Sequence, residues 1–472
     1  MNRKNSLFSI LFILFALFSL NTTAQTKPIS LHPENPHYFL YKNKPTVLIT
    51  SAEHYGAVLN LDFDYLPYLD ELKSKGLNLT RTFTGVYVEP AGAFNIANNT
   101  LAPVAGKFIC PWLRSNETGY ADGGNKFDLA KWDIKYFKRL KDFISQAQKR
   151  GVIVELAFFC PFYEDIQWKI SPLNSINNVN GLGNIPRTDV YTLDKNKGLL
   201  AVQEAVVRKI VNELKSYDNI IYEICNEPYF GGITLEWQHH IADIITDAEK
   251  SFKTKHLISQ NIANGFQKIQ NPHRAVSIFN FHYATPPKTV GENYHLNKVI
   301  GDNETGFNGN YDVTYRREGW EFILAGGALY NNLDYSFTPE QETGTFDYPK
   351  TQPGGGSSQL RQQLSYLKGF INSFDFLNMH PDTSFISGKP KNIRVQALTE
   401  KGKQYAVYVF GGGQTNLELD LPEENYKVEW INTLTGKTEK KEVLKHTGGK
   451  AKLVSPNYTE DIALKIVNLS LF

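Results

Sequence analysis

The sequence predicts an α/β protein, a (β/α)8 barrel followed by a small all-β sandwich, on three observations. Short β-branched runs alternate with longer amphipathic stretches up to about residue 380, the pattern of a parallel sheet that closes on itself. Two of these runs, Ile153–Leu156 and Ile220–Ile224, are nearly continuous apolar with one acid inside, as in strands buried on both faces. From about Pro381 the pattern changes to short alternating strands separated by turn residues, as in a sandwich. A chain of 472 residues has room for both parts.

In chain order, the first element is a targeting segment, residues 1–24. Arg3 and Lys4 precede an apolar stretch from Leu7 to Leu20, and small and polar residues follow up to Ala24. This is the form of a cleavable secretory signal, and its apolar core of about 14 residues is shorter than the ~20 that a spanning helix needs. A secreted or periplasmic protein is expected, cleaved near Ala24 and not held to the membrane afterwards. Residues 25–380 are assigned to the barrel. Its strands are predicted at Thr46–Glu53, Leu77–Phe83, Val152–Cys160, Asn219–Asn226, His256–Asn261, Ala275–Tyr283, Lys298–Glu304 and Ala328–Phe337. Helical periodicity falls between them, at Asp62–Lys75, Lys131–Arg150, Asn196–Tyr217, Thr234–Phe252, Val313–Ala325 and Leu360–Phe376.

Two connections are long, Thr84–Lys131 and Pro161–Lys195. Both follow strands, so both belong on the face of the barrel where chemistry occurs. They carry Tyr87, Trp112, Phe162, Tyr163 and Trp168, rings expected to line a groove. Residues 381–472 form the sandwich, with strands expected at Asn392–Thr399, Gln404–Phe410, Thr415–Leu421, Tyr426–Asn432 and Lys440–Leu444.

Composition excludes several classes. Lys and Arg number 50 against 48 Asp and Glu, so there is no electrostatic footprint for nucleic acid. Three cysteines, Cys110, Cys160 and Cys225, are too few and too scattered for a disulfide framework or a zinc cluster. Either Cys110 bridges Cys160 or all three are buried thiols. Gly411-Gly412-Gly413 precedes no helix with Lys and Ser/Thr, so it is a turn rather than a phosphate loop. His239 and His240 are neighbours in a predicted helix and cannot share a face, so no metal site is expected there. The excess lies in aromatic residues, with 30 Phe, 25 Tyr and 6 Trp.

The strongest signal is Ile220-Ile221-Tyr222-Glu223-Ile224-Cys225-Asn226-Glu227-Pro228. A buried strand ends in Asn-Glu, and Pro228 stops it by removing a ladder donor. Val299-Ile300-Gly301-Asp302-Asn303-Glu304-Thr305-Gly306 repeats the design. These are the fourth and seventh strands, whose long side chains can meet over the barrel mouth. Two carboxyl groups about 5–5.5 Å apart equip a protein for glycoside hydrolysis with retention. Glu223 and Asp302, deeper in the same strands, suit structural hydrogen bonding.

With these motifs the chain resembles the clan A glycoside hydrolases, particularly the cellulase-like, family-5-like members, from Pro36 to Phe376. The resemblance implies that Glu227 is the general acid/base, Glu304 the nucleophile and Asn226 a ligand of the sugar 2-hydroxyl. It also implies that Arg81, ending the second strand, holds the nucleophile ionised, as a nearby cation should. The sequence departs from the pattern twice. His282-Tyr283-Ala284 stands where the clan has His-x-Tyr, leaving open which residue supports the nucleophile. The eighth strand offers Tyr330, Asn332 and Tyr335 in place of a Trp. His54 and Tyr55, at the end of the first strand, are expected to face the same cavity. The expected activity is secreted, retaining cleavage of β-linked polysaccharide by a monomer that needs no cofactor. Internal cleavage of a β-1,3- or mixed-linkage glucan is favoured. A β-mannanase, an exo-β-glycosidase and a non-catalytic carbohydrate-binding barrel are the alternatives.

Overall fold

The computed structural model describes residues 27–471, and the signal-like segment 1–24 lies outside the described residues. Eight parallel strands form the central sheet: β1 (Leu48–Ala52), β2 (Leu79–Phe83), β3 (Ile153–Phe159), β4 (Ile220–Cys225), β5 (Leu257–Asn264), β6 (Val276–His282), β7 (Val299–Thr305) and β8 (Leu329–Leu333). They hydrogen-bond in ring order from β2 through β8 and on to β1. The remaining seam, between β1 and β2, is bridged by a side chain. Asn78 accepts from the Ile49 N–H at 3.0 Å and donates to the Val47 carbonyl at 2.8 Å, standing in for a ladder at that point.

The helices are α1 (Tyr65–Ser74), α2 (Ile134–Arg150), α3 (Asp165–Ile170), α4 (Leu199–Leu214), α5 (Leu235–Ala248), α6 (Lys288–Asn293), α7 (Asp312–Leu324) and α8 (Ser358–Ile371). Their ends carry local stop and start signals. Asp133 caps α2 by accepting from the Lys135 N–H, and Gly151 ends it at φ 73°, where a side chain would be strained. The eight barrel strands and six long helices lie where periodicity places them. The short α3 and α6 escaped that reading, because a helix of one or two turns shows no full period.

The first long connection is also not bare loop. It folds into a hairpin of Trp112–Thr118 against Asn125–Trp132. Before the barrel, Ser30–Leu31, Phe39–Tyr41 and Lys44–Thr46 make a small three-stranded sheet. Among the described residues no helix is long and apolar enough to cross a membrane. Cys110, Cys160 and Cys225 are all free and buried.

The C-terminal part has two antiparallel sheets. One runs His380–Pro381, Arg394–Glu400, Gln404–Phe410, Asp461–Asn468, Glu424–Ile431, Thr438–His446, and the other Ile386–Gly388, Asn416–Leu421, Gly449–Val454, each in spatial order. Leu417, Leu419 and Leu453 of the smaller sheet share a core with Val407, Trp430 and Leu464 of the larger. Tyr405, Tyr426 and Trp430 are buried in that core, so they offer no surface for stacking sugar. The module is fixed to the barrel through α7. The Arg316 guanidinium donates to both Asp461 oxygens at 2.9 and 3.0 Å, and Trp320 stacks on Tyr408 with centroids 5.5 Å apart.

Candidate active site

Barrel geometry carries the C-terminal ends of β2, β4, β6 and β7 to one mouth, and each delivers a polar side chain there. Glu304 comes from β7 within the strand, whereas Glu227 follows β4 at φ 36°. Tyr55 and Tyr283, after β1 and β6, also have positive φ, 61° and 54°. Strained backbone of this kind is held only where the surroundings over-determine it, and it clusters at functional sites. The left-handed turn at Tyr283 answers the question of spacing. The tyrosine is adjacent to His282 in sequence, yet both side chains reach Glu304.

Glu304 is saturated with donors. Its Oε2 accepts from Arg81 Nη1 at 3.0 Å and from the Tyr55 hydroxyl at 2.9 Å; its Oε1 accepts from the Tyr283 hydroxyl at 2.8 Å. His282 Nδ1 lies 3.5 Å from the same Oε1. Burial raises the Glu304 carboxyl, but the charges of His282 and Arg81 outweigh it and hold the group well below the ordinary carboxylate range. Burial also opposes a charge on His282. The charge of Glu304 and the bonds to both glutamates win, raising the imidazole to about 10.

Arg81 is itself oriented by Glu223, which takes two of its N–H groups at 2.7 and 2.5 Å, and Asn303 donates to Glu223 at 3.0 Å. Glu223 thus serves as a strut beneath the site.

Glu227 has a different environment. The Tyr163 hydroxyl donates to Oε2 at 2.5 Å, and the Tyr229 hydroxyl and His282 Nδ1 approach Oε1 at 3.3 and 3.2 Å. Among the described residues no guanidinium touches it. Asn226 accepts from Arg81 Nη2 at 2.6 Å and donates to the Tyr163 hydroxyl at 2.9 Å, which fixes its amide between the two halves of the site. One oxygen of each glutamate and a ring nitrogen of His282 all lie within 4.8 Å of one another. This set is a poor cation site, because Arg81 already occupies a Glu304 oxygen and a protonated imidazole has no lone pair to give. The two carboxyl groups are close enough for one to attack a carbon whose leaving oxygen the other protonates.

They open on a cavity of about 310 Å3, also lined by His54, Tyr55, Tyr283 and Asn226. Four of the five loop rings expected there, Tyr87, Trp112, Phe162 and Trp168, do not line it. Trp112 is buried at the base of the hairpin; Trp168 is buried against Phe162, with its indole donating to the Ile185 carbonyl at 3.0 Å. The continuous apolar core of the barrel extends into both long loops and takes up these rings. Tyr87 sits behind the wall, its hydroxyl on Glu89 at 3.0 Å. Tyr163 does line the cavity as expected, joined by Phe83, Phe94, Phe230 and Phe307. Tyr229 was within reach of sequence reasoning, since it follows Glu227-Pro228. Glu89 carried a signal too. Val86-Tyr87-Val88-Glu89-Pro90 repeats the apolar run and Glu-Pro ending of the fourth strand.

Residues 68–282 match the family model of cellulase (glycosyl hydrolase family 5), a span that includes Arg81, Asn226, Glu227 and His282. A search of the curated proteins finds no match. Among solved structures, a Bacteroides vulgatus family 5 glycoside hydrolase is similar at a TM-score of 0.63 and 14% identity, over 94% of this chain and 93% of its own. A second Bacteroides vulgatus chain, whose glycoside hydrolase assignment is itself provisional, gives 0.65 at 14% identity, over 95% and 83%. A family 5 mannosidase from Rhizomucor miehei gives 0.52 at 12% identity, over 74% and 99%. Likeness at such identities speaks for the fold, and the family model speaks for the chemistry of the barrel. The match to the cellulase model runs from α1 to the end of β6, and together with the two close carboxyl groups it makes this barrel that of a glycoside hydrolase.

Proposed function

We propose that the protein hydrolyses β-linked glycan with retention at the anomeric carbon, by double displacement. The observation that carries this reading is the asymmetry of two close carboxyl groups. Arg81 and His282 keep Glu304 ionised and fit for attack, while Glu227 is bonded mainly by neutral hydroxyl groups. Glu304 attacks the anomeric carbon as Glu227 protonates the leaving oxygen; Glu227 then takes a proton from water, which releases the sugar from Glu304. Asn226 is placed to bond the sugar 2-hydroxyl. The ring-lined cavity surface around the glutamates suits a sugar face. We further read the N-terminal segment as an export signal, so the substrate is met outside the cytoplasm.

The basis for expecting internal cleavage of β-glucan is a groove lined by exposed rings; of the loop rings named for it only Tyr163 lines the cavity, beside the exposed Phe94 and Phe230. The substrate space is a cavity of about 310 Å3, which favours a short or terminal part of a glycan. Glucose- and mannose-configured substrates remain the candidates. The test is a panel of β-1,3-, β-1,4- and mixed-linkage glucans, β-mannan and their tetrasaccharides, with products sized over time. Wild-type protein should cleave at least one, and Glu227→Gln and Glu304→Gln should each lower the rate by about 10³-fold or more while melting like wild type. Wild-type rates in either variant overturn the assignment.

A further inference from the structure

The cavity holds a third carboxyl group that the double displacement does not use. Glu89 lines the wall and is 5% exposed. It takes part in no ion pair among the described residues. Its bonds come from neutral donors, the Tyr87 hydroxyl at 3.0 Å on Oε1 and the Asn99 amide at 2.5 Å on Oε2. Each carboxyl oxygen can accept a second hydrogen bond, so two acceptors stay available to whatever fills the cavity. A buried carboxyl without a cation is costly, and burial raises this one to about 7. A protein keeps such a group in a binding site when a ligand supplies the missing donors. His54 stands on the same wall with a buried Nδ1 that has no partner in the structure.

The position of this wall identifies the part of the substrate it meets. The leaving group must lie toward Glu227, which protonates it. The cavity near Glu227 is formed by Tyr163, Phe230 and Asn264, and the last two are exposed, so that side is open. The retained sugar must lie over Glu304, whose neighbours include Tyr55, with His54 and Glu89 beyond. The loop carrying Glu89 is fastened across that end. Thr100 bonds the Glu53 carboxyl and the His54 carbonyl at 2.7 Å each, and the Glu89 N–H donates to the Leu101 carbonyl at 2.9 Å. On its other flank, Ala97 N–H donates to Gln352 and the Asn95 amide to the Thr351 carbonyl, both at 2.9 Å. The connection after β2 is thereby stitched to the connection after β8, and the mouth is walled on that side.

We propose that Glu89 is a specificity-determining residue that closes the glycon end of the cavity and accepts hydrogen bonds from two hydroxyls of a terminal sugar, making the enzyme exo-acting from the non-reducing end. The proposal rests on the retaining-hydrolase reading and deepens it.

The experiment uses the full chain on cellotetraose, laminaritetraose and mannotetraose labelled at the reducing end, with the matching 4-nitrophenyl β-glycosides alongside. Wild-type protein should shorten a tetrasaccharide one unit at a time, with the label staying on the shrinking chain. Glu89→Ala should lower kcat/KM on the same substrate by about 100-fold or more, with much of the loss in KM. The isosteric Glu89→Gln, which keeps one carbonyl acceptor and the shape of the wall, should lose less; melting curves check that both variants fold. Interior cleavage by wild-type protein, or wild-type kcat/KM in Glu89→Ala, overturns this proposal and leaves the hydrolase reading standing. Failure to cleave any tetrasaccharide or aryl glycoside overturns both.

Discussion

His282 connects the two glutamates, and its charge has consequences for pH. Its folded-state pKa, about 10, lies above the ordinary value of 6.5, so its stabilising contribution is complete below about 6.5 and is lost as pH rises through about 10. Glu304 behaves oppositely: its contribution is present above 4.5 and is lost as pH falls toward its depressed value. Unfolding measured across this range should therefore show wild-type stability declining between about pH 6.5 and 10, with a flatter decline in His282→Gln. An equal decline in both proteins would place the imidazole charge elsewhere. The two glutamates were legible in the sequence because Asn-Glu-Pro and Asp-Asn-Glu-Thr-Gly end buried strands. Glu89 was harder to read, since its Glu-Pro lies outside any barrel strand and its role depends on a loop turning back over the mouth.

At the scale of elements, the connection after β2 defines the cavity, and its seat on β1 depends on one glycine. A Cβ on Gly56 would sit 2.2 Å from the Thr100 carbonyl oxygen, far inside contact distance, and that atom belongs to backbone that cannot swing aside. Gly56→Ala should push Thr100 off Glu53 and His54, destabilise the fold by about 1–3 kcal/mol and raise KM more than it lowers kcat. Urea unfolding and steady-state kinetics on the same preparation test this; an unchanged KM would show that the loop's seat does not shape the cavity. Barrel strands and long helices were readable because each has a clear hydrophobic period and caps. Trp112 and Trp168 were misplaced for a physical reason. A large ring in a long loop is drawn to the packed core as readily as to a ligand, and composition does not separate the two.

At the scale of the molecule, barrel and sandwich meet through buried charge. Asp461 accepts from Arg316, the Tyr408 hydroxyl at 2.7 Å and the Thr433 hydroxyl at 2.7 Å, so its removal leaves the buried guanidinium with Gln363 and the half-exposed Glu460 alone. Asp461→Ala should cost about 3–5 kcal/mol, the range for breaking a buried pair, and should lower the melting temperature without changing KM. A change in KM at unchanged stability would instead tie the sandwich to substrate. The sequence reading found the module but missed two very short strands, His380–Pro381 and Ile386–Gly388, and two long ones, Gly449–Val454 and Asp461–Asn468. The last is central in the larger sheet, between Gln404–Phe410 and Glu424–Ile431, and its near-continuous apolar run hides the alternation of a half-buried strand. Charge balance, by contrast, fits the whole picture, because a neutral glycan offers no charge to steer.

The central claim is that Glu304 forms a covalent bond to the sugar. Incubation of the wild-type protein with 2-deoxy-2-fluoro-β-glucosyl and β-mannosyl fluorides, followed by peptide mass spectrometry, tests it directly. Retention through Glu304 predicts a fluoroglycosyl adduct on the peptide containing Glu304, formed at the rate at which activity is lost. An adduct on Glu227, or inactivation with no adduct on Glu304, would contradict it.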